Sequence, residues 1–291
     1  MTKKILLFNN FPFHMELIGF ALDYAKDKDI IVDIFNPIDN LNYFDLYKIY
    51  FKYNVVKLFN SSSYDLIIVL TDSDWSFKPE WVTKNTITLN HFYQKRNFAI
   101  PNQINCSPFH FNSYEENFII PTYNLSDINL ETKRKISCID HINIVLLGRF
   151  LYDSLEPLTH LKSNKITFHI INVHGIHDCY KNKPNIKVYG KINTLELFNV
   201  LLNSQYLYVT DLNYNHTNGY STSASIALSF NTGCQLIIPK RMNQHLRLKS
   251  AILYEPDEDV YLQHLPNYEL VFKEKQYFID MRNKILDSLL L

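Results

Sequence analysis

Cysteine and glycine are both scarce in this sequence, which has four cysteines and six glycines among 291 residues. No two cysteines form a CxxC pair, and a chain of this length can bury a sizeable core without disulfide crosslinks. The sequence therefore predicts reduced cysteines. Each of the few glycines is expected to mark a turn or a close approach of the backbone.

An excess of one charge and a long apolar run are also absent. Lys+Arg and Asp+Glu each total 29, and basic residues cluster only briefly, at Lys133–Lys135 and Pro239–Met242. Most nucleic-acid-binding proteins carry a basic excess or stripe, so DNA and RNA are not expected as partners. The apolar run after Lys4 is cut short by Asn9 and Asn10, and no stretch has the length of a membrane span. These absences predict a cytoplasmic protein without a transmembrane segment.

What the sequence does contain is an alternation of strand-like and helix-like segments. Lys4–Phe8 and Tyr64–Asp72 are apolar runs typical of buried strands, and Asn117–Pro121 fits a further strand. Asn193–Ser204 has helical periodicity behind a credible Asn or Thr cap. Such alternation favours an α/β fold, in which a parallel sheet carries helices on both faces.

The alternation runs twice along the chain. The stretch Asp127–His141 is polar and charged, which predicts a linker, and a new strand-like run begins at Ile142. The sequence therefore predicts two α/β/α domains, residues 1–135 and 136–291. In open sheets of this kind, ligands bind at the carboxyl ends of the strands, so a site is expected in a cleft between the halves.

A cluster of small residues precedes a short helical pattern that ends at Gly233, just before an apolar strand. The first N–H groups of a helix have no internal partners and carry partial positive charge, so a helix start can bind phosphate without a lysine. A plain N-cap on a core helix is the alternative interpretation, and it stays open on this stretch alone. The residues of this helix start are Ser221, Thr222, Ser223, Ala224 and Ser225.

Cationic residues follow two of the strand-like runs. Gly148 allows a tight turn, and Arg149 directly after it could bind phosphate oxygens. Lys240 and Arg241 follow a later strand and are further candidates for the same task. A surface ion pair is the alternative for Arg149.

The order of these motifs resembles that of GT-B glycosyltransferases, which move a sugar from a nucleotide donor and consist of two Rossmann-like domains facing across a cleft. In the second half the matching segments are "IVLLGRF", "NIKVYGKINTLELFNVLLNSQYLYV" and "STSASIALSFNTGCQLIIP". In the first half, "FPFHMELIGFALDYA" is similar to the family's loop with a histidine after the first strand. The resemblance covers most of the chain. It implies that the second domain binds a nucleotide-sugar, with Gly190 and Ile192 near the nucleobase.

The sequence departs from the retaining members of that family. They usually carry paired glutamates around the helix start, where this chain has Tyr220 and Leu228. The resemblance therefore favours transfer with inversion. An inverting enzyme needs a base to take the proton of the acceptor hydroxyl.

His14, directly after the first strand, is the candidate base, because histidine titrates near neutral pH. Asp72 ends another strand and would orient the imidazole, with Asp74 and Glu16 as alternatives. A helix-start cap or a hydrogen-bonded polar residue without catalytic function is the alternative role for His14.

Two patterns suggest metal binding instead. Asp72 and Asp74 form an Asp-x-Asp pair after an apolar strand, the arrangement by which GT-A transferases hold a divalent cation. That fold leaves the second half of the chain unexplained. Zinc-type ligands also occur, without a second pair at the expected spacing, at His169, His174, His177 and Cys179.

Taken together, these features predict a glycosyltransferase that moves a sugar from a nucleotide-sugar to a hydroxyl of a glycan, protein or small molecule. No metal or other cofactor is expected, since the helix dipole and Arg149 can stabilise the leaving group. The alternative is a protein that keeps the fold and binds a nucleotide or glycan without turnover, which the missing glutamates suggest.

Overall fold

The computed structural model describes most of the chain, and the statements below concern only that part. The described residues are 2–10, 17–36, 45–71, 76–91, 100, 102–110, 113–114, 117–137, 140–147, 161–162, 165–171, 183–190, 192–209, 224–255, 258–262 and 265–291. The chain divides into two compact units. One comprises Met1–Asn124, Tyr220–Ala224 and Tyr277–Leu291, and the other Leu125–Gly219 and Ser225–Gln276. The predicted boundary at residues 135 and 136 stays a prediction.

The first unit is built on a six-stranded sheet whose neighbouring strands are all parallel. Its strands are β1 (Lys3–Phe8), β2 (Ile30–Phe35), β3 (Asn54–Val56), β4 (Leu66–Val69), β5 (Thr86–Asn90) and β6 (Asn102–Asn105). They lie in the order β3-β2-β1-β4-β5-β6, so β3 and β6 form the edges. The unit also contains helices α1 (Gly19–Ala25) and α2 (Asp45–Tyr50) and a hairpin of β7 (Phe109–His110) and β8 (Ser113–Tyr114).

Aromatic side chains build much of the core of this unit. Phe8 of β1 packs edge-on against Phe77 with ring centroids 4.9 Å apart, and Phe77 contacts Trp81 of a short 3-10 turn. At the start of α1, a Cβ on Gly19 would lie 2.5 Å from the ring of Tyr123. Close packing of that ring on the helix therefore requires glycine at this position.

The strand predicted at Asn117–Pro121 is wrong. Phe118 forms only an isolated bridge to Asn105, although Phe118, Ile119 and Ile120 are all buried. An apolar run that enters the core as irregular chain has the same composition as a buried strand, so the pattern misleads here.

The second unit repeats the parallel arrangement. Its main sheet has the order β12-β11-β9-β13-β14-β15, and β10 and β16 form a separate parallel pair. The strands are β9 (Ile142–Leu147), β10 (Leu161–Lys162), β11 (Ile166–Ile171), β12 (Ile186–Tyr189), β13 (Tyr206–Tyr208), β14 (Gln235–Pro239), β15 (Ile252–Tyr254) and β16 (Val260–Tyr261). The helices are α3 (Leu130–Ser137), α4 (Thr194–Leu202), α5 (Ala224–Thr232), α6 (Lys240–Leu246) and α7 (Tyr268–Leu290). The first residue of α5 and the end of α7 belong to the first unit.

The linker predicted at Asp127–His141 contains α3 and is therefore wrong as a description of that stretch. The side chain of Lys133 is buried, and its ammonium donates to the carbonyl oxygens of Leu202 and Ser204, at 3.0 and 2.7 Å. A lysine whose partners are carbonyl groups at the end of another helix can belong to the core. Polar composition alone does not reveal this.

The C-terminal helix α7 ends within the first unit. Arg282 is buried there, and its guanidinium donates to the Asp23 carboxylate at 3.0 Å and to the Thr122 carbonyl at 2.8 Å. No helix in the described part of the chain combines the length and apolar character needed to cross a membrane.

Candidate functional site

The carboxyl edge of the second sheet carries the predicted donor-binding residues that the structure describes. Because all neighbouring strands are parallel, the residues that follow them lie along one edge. Gly190 follows β12, Lys240 follows β14, and Glu255 follows β15. Gly148 and Arg149, which follow β9, lie outside the described residues. The topology thus brings the described residues of the predicted loops to one edge of the sheet.

Helix α5 begins at this edge, since it connects β13 to the parallel neighbouring strand β14. Ala224 is half-buried and Ser225 is buried, and the first turn of α5 contains no acidic side chain. The helix start therefore keeps its partial positive charge, which a carboxylate in the first turn would offset. The remaining predicted residues of the helix start, Ser221, Thr222 and Ser223, lie outside the described part.

The other end of α5 fixes the helix in the core. Gly233 has a φ of +69°, its N–H donates to the Phe230 carbonyl at 3.3 Å, and the Cys234 N–H donates to the Ser229 carbonyl at 2.9 Å. This is a Schellman motif, which satisfies the last carbonyl groups of the helix and ends it. All residues from Ser225 to Thr232 are buried, so tight packing positions the start of α5.

The loop after β12 combines an open glycine with a capped helix. Gly190 is exposed, and a Cβ added there would meet no atom of the described residues within 4 Å. Ile192 is half-buried, and Asn193 next to it caps α4 by accepting a hydrogen bond from the Glu196 N–H at 2.8 Å. This confirms the predicted cap. The loop therefore has room for a ligand against its backbone and is held at one end by the helix.

Lys240 has an anionic neighbour that sequence reasoning missed. Its ammonium lies 3.6 Å from the Glu255 carboxylate, and both side chains are exposed. An exposed pair of this kind stabilises little, so Lys240 can exchange Glu255 for another anion at small cost. The rule that selected Lys240, a charged residue directly after a strand, also selects Glu255.

The carboxyl edge of the first sheet carries buried polar residues. Asn9 follows β1, Thr71 lies just after β4, and His91 follows β5. The ring of His91 lies 2.8 Å from the Leu70 carbonyl, so Nε2 carries the proton, and burial lowers the pKa of the ring. The residues predicted to act here, His14 and Asp72, lie outside the described part, as does Asp74. The imidazole of His91 is therefore a neutral group that a hydrogen bond to the Leu70 carbonyl holds in place at this edge.

One of the proposed zinc ligands has other partners. In His169, Nδ1 lies 3.0 Å from the Tyr189 hydroxyl and Nε2 lies 3.0 Å from Asn143 Oδ1. Burial, together with Lys187 and His141, lowers its pKa to about 4. Within the described ranges no cluster of three or more His, Cys, Asp or Glu residues is placed to hold a metal ion. His174, His177 and Cys179 lie outside those ranges.

No protein-family model matches the sequence, and no curated protein matches it. Solved structures do match along almost the whole chain. AviGT4, a glycosyltransferase involved in avilamycin A biosynthesis, matches with a TM-score of 0.63 and 9% sequence identity, over 99% of this chain and 97% of that one. Alr3699/HepE from Anabaena, in complex with UDP and glucose, matches with a TM-score of 0.47 and 11% identity over 98% and 95%. UDP-GlcNAc 2-epimerase from Methanocaldococcus jannaschii gives a TM-score of 0.46 and 12% identity over 99% of each chain.

The match to AviGT4 includes both parallel six-stranded sheets, because it spans nearly all of both chains. At this level of identity the likeness concerns the fold and not the chemistry. It confirms the two-domain α/β architecture that the sequence motifs predicted. The chain has a GT-B-like fold.

Proposed function

We propose that the protein is a glycosyltransferase that moves a sugar from a nucleotide-sugar donor to an acceptor hydroxyl. The observation that carries the proposal is the match to the glycosyltransferase AviGT4 over the full length of both chains. The carboxyl edge of the second sheet adds support, because an open loop, a packed helix start and a cation all lie along that edge.

In this proposal the second unit binds the donor. The N–H groups at the start of α5 bind the diphosphate, with hydroxyl groups from Ser221, Thr222, Ser223 and Ser225. Arg149 and Lys240 supply positive charge, and the backbone at Gly190 and Ile192 contacts the nucleobase. Fixed dipoles and cations aimed at the departing diphosphate stabilise the charge that develops as the glycosidic bond to the nucleotide breaks.

The first unit supplies the base. His14 takes the proton of the acceptor hydroxyl as the acceptor oxygen attacks the anomeric carbon, and Asp72 orients the imidazole. Attack on the face opposite the leaving group inverts the anomeric centre. The reaction is proposed to need no metal ion, because helix dipole and cations act on the leaving group.

The test is release of nucleoside phosphate from UDP-, GDP-, CMP- and dTDP-sugars, with water or a broad acceptor panel. His14→Ala should lower turnover by about 10²–10⁴-fold, the usual contribution of a general base, while donor binding persists. His141→Gln is the matched control, because His141 precedes β9 at the opposite edge of the second sheet. EDTA should leave turnover unchanged. Equal losses of turnover in His14→Ala and His141→Gln would contradict the assignment of His14 as the base.

A second candidate function is binding without turnover. It is favoured by Leu228, a buried leucine in α5 at a position where retaining GT-B enzymes usually carry a glutamate. Nucleotide binding with no release of product from any donor would support this function and exclude the enzymatic one.

A further inference from the structure

Three exposed apolar side chains lie close together in sequence at one edge of the first sheet. Leu58 is 88% exposed, Ile49 is 63% exposed and Val55 is 43% exposed. Val55 belongs to β3, an edge strand, and Ile49 belongs to α2, which leads into it. We call residues 48–58 the edge segment. An apolar residue as exposed as Leu58 contributes almost nothing to folding, so its side chain is available to a partner, as are the exposed parts of Ile49 and Val55.

The edge segment is attached to a packed core. Leu46 and Tyr47 of α2 are buried directly before it, and Phe51 is buried within it. Val56 packs against the aromatic cluster around Phe8. The packed core therefore fixes the backbone that carries the exposed side chains of the edge segment.

Lysines alternate with these apolar residues. Lys48, Lys52 and Lys57 are all exposed, and between residues 48 and 58 there is no acidic residue. Asp45, just outside the segment, lies 3.6 Å from Lys48 in an exposed pair. The surface is thus both basic and apolar, although the whole chain has no net charge.

A similar apolar surface in the second unit has the opposite charge. Tyr261 is 76% exposed and Leu265 is 53% exposed, and the nearby residues Glu255, Glu258 and Asp259 are acidic. Exposed apolar side chains alone therefore do not distinguish the edge segment. What distinguishes the edge segment from this second surface is that lysines lie between its exposed apolar residues.

We propose that the edge segment binds the surface of an anionic lipid bilayer. The lysine ammonium groups would contact lipid phosphates, while Leu58, Ile49 and Val55 enter the boundary between headgroups and acyl chains. Lysines that flank an edge strand, as Lys52 and Lys57 flank β3, also discourage strand pairing between copies, but that role does not explain the exposure of Leu58. A symmetric contact between two copies would bring the three lysines of each copy together, so charge favours the lipid surface over a second copy. The proposal does not depend on the glycosyltransferase assignment.

The test is flotation of the full chain with vesicles of pure phosphatidylcholine and with vesicles of three parts phosphatidylcholine to one part phosphatidylglycerol. Binding is expected only to the anionic vesicles and should disappear at 1 M salt, where screening shortens the range of charge interactions to about 3 Å. Each lysine near the surface contributes about a fivefold gain in partitioning, so the triple variant Lys48→Gln, Lys52→Gln, Lys57→Gln should bind about a hundredfold more weakly.

Leu58→Glu should also weaken binding by at least about tenfold. Leu265→Glu is the matched control and should bind as the wild type does, and thermal unfolding checks that all variants are folded. Equal binding to both vesicle types, no binding to either, or equal effects of Leu58→Glu and Leu265→Glu would overturn the proposal. A concentration-dependent dimer that Leu58→Glu dissociates, without vesicle binding, would assign the surface to a second copy instead.

Discussion

The Lys133 ammonium lies 2.7 Å from the carbonyl oxygen of Ser204, just beyond the C-terminus of α4. It also donates to the carbonyl groups of Leu201 and Leu202, so three carbonyl groups surround its three protons. A positive charge at this end of a helix offsets the negative end of the helix dipole. This single side chain joins α3 to α4 inside the second unit.

Replacing Lys133 by methionine keeps most of the apolar stem and removes the ammonium that donates to these carbonyl groups. We expect a loss of about 2–4 kcal/mol in the free energy of unfolding, measured by urea denaturation. Lys135→Met is the control, because Lys135 forms only an exposed pair with Glu131 and should change stability by less than about 0.5 kcal/mol. Similar effects of the two substitutions would show that Lys133 is not a structural anchor.

Gly233→Ala should destabilise the second unit. The residue needs φ of +69°, and an added Cβ would lie 3.0 Å from Phe272 and 3.1 Å from Lys133. Left-handed backbone costs a residue with a Cβ about 1–2 kcal/mol, and the tight contacts add to this cost. Gly190→Ala adds a Cβ that contacts none of the described residues and should leave the thermal midpoint unchanged. A stable Gly233→Ala variant would contradict the helix-ending role of this glycine.

The buried pair of Arg282 and Asp23 should dominate the attachment of the end of α7 to α1. Arg282→Met leaves the Asp23 carboxylate buried without its cation, which typically costs about 3–5 kcal/mol. The exposed pair of Lys28 and Asp287 joins the same two parts of the chain, so Lys28→Met serves as the control and should cost less than about 1 kcal/mol. Denaturant unfolding measures the free energy of unfolding of both variants. Equal losses in Arg282→Met and Lys28→Met would contradict the dominant role of the buried pair.

Acid should weaken the fold through His169. Its imidazole protonates near pH 6.5 in the unfolded chain, whereas burial keeps the folded ring neutral until the pH approaches its pKa of about 4. The unfolded state therefore binds more protons in this window, and stability falls as the pH drops, by up to about 1.4 kcal/mol per pH unit. Urea denaturation between pH 7 and pH 4 should show a shallower loss for His169→Gln than for the wild type. An equal loss of unfolding free energy with falling pH in the two proteins would contradict this role of His169.

Much of the fold follows from local sequence signals. The periodicity of α4 and the cap at Asn193 identify that helix, and the apolar runs identify the buried strands β1, β4 and β9. Helix α3 was missed because the partners of Lys133 lie about seventy residues further along the chain. Composition describes a residue's chemistry and not the groups that it meets after folding.

The candidate site was predictable to the extent that topology determines it. Residues after parallel strands share an edge, so Gly190 and Lys240 both lie at the carboxyl edge of the second sheet. Two features of these edges depend on distant contacts. Glu255 meets Lys240 only because β14 and β15 are neighbours, and the anchoring of His91 depends on Leu70 at the end of the adjacent strand.

The most direct test of the account is calorimetric titration of UDP, GDP, CDP and dTDP into the wild type and Ala224→Asp. A carboxylate in the first turn of α5 suits the helix dipole, so the variant should fold normally, but it should repel a diphosphate at the helix start. We expect the wild type to bind at least one of the four and the variant to bind it at least about tenfold more weakly, a difference of about 1.4 kcal/mol. Equal binding by both proteins, or no binding by the wild type, would contradict a diphosphate site at the start of α5.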